Sequence, residues 1–84
     1  MEDVVASEEG QPRIHWRREG SAWDSNGSLM GVIVHDDAHG FSGYRGYLID
    51  ENKHRIPGKT TAVHLTKRGA EKSLEKLAGW KNVV

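Results

Sequence analysis

The sequence predicts a small α+β domain in which a short antiparallel sheet of three or four strands packs against one C-terminal helix. Three observations predict it. A near-continuous apolar run, Leu29 to Val34, is followed after a polar turn by an aromatic-rich run that ends at Ile49, which reads as a hairpin. Later, Ala70, Leu74, Leu77 and Ala78 recur with helical spacing. Between these elements, Asn26-Gly27, Pro57-Gly58 and Gly79 punctuate the chain where turns and a helix end belong.

The elements follow in order. Residues 1–12 carry Glu2, Asp3, Glu8 and Glu9 among small residues and read as a flexible acidic leader. A single domain then spans residues 13–80, and 81–84 form a short tail. Arg13 to Arg17 alternates as a strand, with Ile14 and Trp16 on one face and Arg13, His15 and Arg17 on the other. Glu19-Gly20-Ser21 breaks it, and Trp23 stands alone before Asp24-Ser25-Asn26-Gly27. Asn-Gly is a strong hairpin signal because both residues tolerate positive φ. Ser28 to Asp36 reads as a central strand, and Asp36-Asp37-Ala38-His39-Gly40 as a turn by composition. Phe41 to Ile49 follows as a strand, with Phe41, Tyr47 and Ile49 opposite Tyr44 and Leu48. Asp50 to Lys53 is a further turn, and Thr60 to Leu65 alternates as a last short strand. Thr66 is the expected N-cap, with Leu65 and Ala70 placed for a hydrophobic staple, while Gly69 weakens the first turn slightly. Gly79 fits the left-handed position after the helix, with Trp80 folding back toward Leu74.

Composition bounds the function. The 84 residues contain 17 Leu, Ile, Val and Phe, near the lower limit for a folded core, yet three Trp and a balanced charge favour folding. The absence of cysteine excludes disulfides, Cys-based zinc sites and a thiol nucleophile. No apolar run approaches the ~20 residues that span a bilayer, and the acidic start is unlike a signal peptide. A cytoplasmic protein with no membrane contact is therefore expected. Zero net charge hides a split: four basic and nine acidic side chains lie in residues 1–50, eight basic and three acidic in 51–84. Such a split can offer a basic surface to a polyanion.

Specific chemistry is sparse. His35, Asp36, Asp37 and His39 gather metal-ligand types, but a turn places an i, i+4 pair on no common face, so an ordinary polar turn and no metal are expected. Gly58-Lys59-Thr60 matches the end of a phosphate-binding loop, yet Lys53 stands where its first Gly belongs and a strand follows in place of a helix. No G-x-S-x-G occurs, and a domain this small rarely encloses a water-excluding pocket, which points to a non-enzymatic module without cofactors.

Basic and aromatic side chains remain as the functional signal. A small nucleic-acid-binding module is expected to use Arg13, Arg17, Arg45, Lys53, Arg55, Lys59, Lys67, Arg68 and Lys72, largely on phosphates. Tyr44 or Tyr47 is expected beside the basic face of the first strand. Trp16 and Trp80 read as core residues. The alternative is a protein-binding accessory or inhibitor protein, of the phage or small bacterial type, with Trp23 as an exposed anchor. The order of a short sheet before a helix that opens with Leu65-Thr66 and carries Ala70-Glu71 resembles small DNA-binding domains of the AP2 and integrase arm-binding type. It resembles equally many phage-encoded or accessory bacterial proteins. Both resemblances cover about residues 28–78 and rest on pattern. The balanced charge and the acidic leader depart from a tight DNA binder.

Overall fold

A computed structural model describes residues 13–37 and 42–84. The expected leader, 1–12, the tip of the expected turn, 38–40, and Phe41, the first residue of the expected strand, lie outside the described residues. Five strands form one antiparallel meander in chain order: β1 (Ile14–Trp16), β2 (Ser21–Asp24), β3 (Leu29–Asp36), β4 (Gly43–Ile49) and β5 (Arg55–Thr60). One helix, α1 (Lys67–Ala78), follows. The α+β class is as expected, with five strands where the sequence suggests three or four.

The extra strand is β2. Its local sequence, Ser-Ala-Trp-Asp after a Gly, carries no period, and long-range pairing makes it a strand: Ala22 sits opposite Trp16 on one side and Gly31 on the other. The last strand is displaced as well. Arg55–Thr60, not Thr60 to Leu65, pairs with β4, and the segment beyond Thr60 touches the sheet through a single bridge between His64 and Tyr44. Pro57 is tolerated because β5 is an edge strand, and the register shift between Tyr47 and Ile49 absorbs the corner at Gly58. At the opposite edge, Ile14 exchanges hydrogen bonds with Asn82 and Val84, so residues 82–84 extend the sheet beside β1.

Register divides the side chains into two sets. His35, Ile33 and Gly31 of β3 lie opposite Tyr44, Gly46 and Leu48 of β4, and this face receives α1. Ile33, Ala70 and Leu74 form the buried cluster, with Trp16, Tyr44, Leu48 and Trp80 packed around it. Gly31 and Gly46 let the helix approach: a Cβ on Gly31 would lie 2.9 Å from Leu74 Cδ2, and one on Gly46 3.2 Å from Leu74 Cβ.

The helix ends as its sequence predicts. Thr66 Oγ1 accepts from the Gly69 amide at 2.9 Å. Gly79 is left-handed at φ 74°, with the Gly79 and Trp80 amides donating back to Lys76 and Glu75. The buried stripe differs. Leu77 is 40% exposed while Glu71 is buried, and Leu65 is 85% exposed, so no staple with Ala70 forms. The arc facing the sheet runs from Ala70 through Leu74 to Glu75, whose Oε2 accepts from the Trp16 indole at 2.8 Å. Leu77 falls just outside that arc.

Candidate nucleic-acid interface

The face opposite α1 is covered by no second layer among the described residues. Strand alternation places Val32 and Val34 of β3 there, with Arg45, Tyr47 and Ile49 of β4. Trp23 and Ser21 of β2 share it, as do His15 of β1 and Arg55 of β5. The result is a half-buried apolar strip flanked by arginines.

Each margin of the strip holds an arginine on an aromatic ring. The Arg17 guanidinium carbon lies 4.5 Å from the centroid of the Trp23 ring, and that of Arg55 lies 4.0 Å from the Tyr47 ring. Such stacking fixes the plane of the guanidinium while its N–H groups stay available at the edge. Between them, Arg45 pairs with Asp36 at 3.3 Å across the β3–β4 hairpin.

Trp23 is held from below. Its Nε1–H donates to Ser21 Oγ at 2.8 Å, and the Ser21 hydroxyl donates to Glu19 Oε2 at 2.6 Å. The Ser21 hydroxyl holds the Glu19 carboxyl below its ordinary value, aided by its own backbone amide and by the positive charges of Arg17 and Lys67. Neither Ser21 nor Glu19 is legible as a positioning residue in sequence, because the relay exists only once β2 is a strand.

The expected site residues separate into two groups. Arg17, Arg45 and Arg55 come together on the open face. Lys67, Arg68 and Lys72 lie on the helix, behind the sheet. There the Lys67 ammonium donates to the Arg18 carbonyl, Arg68 approaches Glu71 at 3.5 Å, and Lys72 is exposed. Arg13 precedes β1 and Lys59 lies on edge strand β5, both exposed, while Lys53 sits in the β4–β5 turn. The aromatic partner also differs from expectation. Tyr44 belongs to the helix face, and Tyr47 is separated from β1 by two strands. Trp16 and Trp80 pack together at 6.0 Å against the core.

In the expected polar turn, His35 Nε2 hydrogen-bonds the Ser42 hydroxyl at 2.8 Å, and Asp36 faces Arg45. His39 is outside the described residues, and among those described no group of three His, Asp or Glu side chains could hold a metal. Gly58-Lys59-Thr60 lies within β5, not before a helix. No described helix is long and apolar enough to cross a membrane.

Two turns at one end of the sheet are built alike. In β2–β3, Asp24 Oδ1 accepts from the Asn26 and Ser28 amides, and the Asp24 carbonyl accepts from Gly27. In β4–β5, Asp50 Oδ1 accepts from Asn52 and His54, and the Asp50 carbonyl accepts from Lys53. The residue with positive φ is Gly27 (85°) in the first and Lys53 (66°) in the second. Asn26 does not share the positive φ, so the Asn-Gly turn is not the two-residue form that needs it at both positions.

A cleft of about 420 Å³ opens between these turns. Trp23, Met30 and Ile49 give it apolar walls, and Asp24, Asp50, Glu51 and Lys53 surround them. Compared with protein-family models, curated proteins and solved structures, the chain matches none.

Proposed function

We propose that the chain is a non-catalytic nucleic-acid-binding module that uses the open face of its sheet. The observation that carries this reading is the pair of arginine–aromatic stacks, Arg17 on Trp23 and Arg55 on Tyr47, at the two margins of an uncovered apolar strip. Guanidinium groups held in plane suit bidentate contact with phosphates, and the apolar strip between them suits contact with unpaired bases. The helix cations lie on the far side of the sheet and face a different direction from these rings.

The test is a fluorescence-anisotropy titration with duplex DNA, single-stranded DNA and RNA at several salt concentrations. Three phosphate contacts predict a log–log salt slope of about −2 on a single strand. Replacing Arg17 and Arg55 by Gln should reduce that slope by about 1.4, the share of two phosphates. The triple variant Lys67→Gln, Arg68→Gln, Lys72→Gln should leave it unchanged. A slope that responds to the helix variant and not to Arg17 and Arg55 would move the interface to the other side. Absence of binding to all three nucleic acids at low salt would overturn the reading and leave the protein-partner alternative.

A further inference from the structure

We infer that the cleft between the twin turns takes one unpaired nucleobase, and takes guanine in preference to thymine or uracil. This rests on the nucleic-acid reading above and adds to it the class of strand, single rather than duplex, and the base that is read.

The cleft lies on the same face as the arginine stacks and shares Trp23 with them. Its volume, about 420 Å³, lies within the usual range of small-molecule sites. One wall is Trp23, whose indole is fixed by its bond to Ser21 and carries the Arg17 guanidinium on one ring face. Met30 and Ile49 supply an apolar base beneath.

Charge decides which part of a nucleotide enters. Three carboxylates and one ammonium line the cleft, so a phosphate is repelled there and stays with Arg17, Arg45 and Arg55 outside. The strand is thus oriented with its backbone along the arginines and a base turned inward. A base within a duplex is not free to make that turn without unpairing.

The polar groups also select among bases. An ionised carboxylate only accepts hydrogen bonds, and an ammonium only donates them. Asp24 and Asp50 each spend Oδ1 on two turn amides, and among the described residues no hydrogen bond is made by their Oδ2 atoms or by the Glu51 carboxylate. Guanine presents two adjacent donors, N1–H and the N2 amine, beside the O6 acceptor. The two donors match the acceptor-only carboxylates that line the cleft, and O6 matches the cation among its lining residues, Lys53. Adenine and cytosine offer one amine for the carboxylates. Thymine and uracil offer only N3–H between two carbonyls, which face acceptors unfavourably.

The experiment uses the unmodified full chain and short fluorescein-labelled oligodeoxythymidylates in which one central base is thymine, cytosine, adenine, guanine or absent. Guanine should bind about five- to tenfold tighter than thymine, the lower part of what a bidentate base contact provides. Adenine and cytosine should fall between, and the abasic strand should equal or fall below thymine. The double variant Asp50→Asn, Glu51→Gln retains an acceptor for the turn amides and should abolish the guanine preference. Equal affinity for guanine, thymine and abasic strands, with binding still dependent on Arg17 and Arg55, would overturn the base site and leave the sheet-face reading standing. Tighter binding to a fully paired duplex than to any single strand would overturn it likewise. No binding to any strand at low salt would overturn both.

Discussion

Trp16 and Glu75 are joined at 2.8 Å by a hydrogen bond from the indole Nε1 to Oε2, fifty-nine residues apart in sequence. The pair fastens the last turns of α1 to β1, beside the tilted stack of Trp16 on Trp80. Because the site is half-buried, losing the acceptor leaves an indole N–H poorly solvated. Glu75→Ala should cost about 1 kcal/mol by urea denaturation, and Glu75→Gln, which keeps an acceptor, less than half of that. Equal costs for the two would assign the effect to charge and not to the hydrogen bond.

Leu74 and Leu77 should behave very differently, although both sit in the apolar stripe of α1. Leu74 is fully buried against Ile33 and the bare backbones of Gly31 and Gly46. Leu74→Ala should therefore cost about 3 kcal/mol, and Leu77→Ala less than about 1 kcal/mol. Comparable losses would show that the helix is rotated from the orientation described.

Among the described glycines, the one at the start of β4 is the tightest. A Cβ on Gly43 would lie 2.5 Å from Val63 Cγ1 and 2.7 Å from the His64 carbonyl oxygen. The Val63 side chain can turn away, but the carbonyl is fixed by the amide of Tyr44 at 2.7 Å. Gly43→Ala should thus cost about 1–3 kcal/mol and release the His64–Tyr44 bridge. Amide exchange at Tyr44 checks this: protection there should fall further than protection in the centre of β3.

Glu19 titrates below 4.5 because the folded state stabilises its carboxylate, first through the Ser21 hydroxyl. A depressed folded value means that this contribution is present at neutral pH and is lost as pH falls through the folded value. The Trp23 indole N–H, bonded to the same hydroxyl, should report the event. In an NMR titration its resonance should move with a midpoint below 4.5, and Ser21→Ala should return the Glu19 midpoint toward 4.5. A Glu19 midpoint unchanged by Ser21→Ala would remove Ser21 as the cause.

What could be read in the sequence was local. Thr66 and Gly79 mark the helix ends because capping depends on the residue itself and a few neighbours. The β3–β4 hairpin follows from two apolar runs around a polar turn. By contrast, β2 is four residues with no period, and its existence depends on partners in β1 and β3. Leu77 falls outside the buried arc because a stripe gives the width of an apolar arc but not which margin meets the sheet; Glu71 and Glu75 lie at the margin that does. At the candidate site, the arginines were legible as charges. Their division between two faces of the sheet was not, since it follows from the register of β4 and the docking of α1. The likeness of the two turns was hidden by a single residue, Lys53, standing where Gly27 stands in the other.

That residue gives the sharpest separation of stability from function. Lys53 holds φ 66°, a conformation that costs a side-chain-bearing residue about 1–2 kcal/mol, and the equivalent place in the β2–β3 turn is a glycine. Lys53→Gly relieves the strain but gives the unfolded chain more freedom, an opposing effect of up to about 1 kcal/mol. A net gain of about 0.5 kcal/mol is expected, read from the urea midpoint at unchanged m. Lys53→Ala keeps the strained backbone and should change stability by less than 0.5 kcal/mol. Both variants remove the cationic side chain among the residues that line the cleft, so both should lose part of the guanine preference, and to the same extent. The pair therefore distinguishes the reasons a lysine could occupy this position. If Lys53→Gly stabilises the fold while both variants weaken guanine binding, the strain is retained for the amine. If guanine binding falls with Lys53→Gly alone, the turn conformation and not the amine matters to the site. Should Lys53→Gly destabilise the domain, the backbone at this turn is not strained, and the likeness of the two turns carries no energetic meaning.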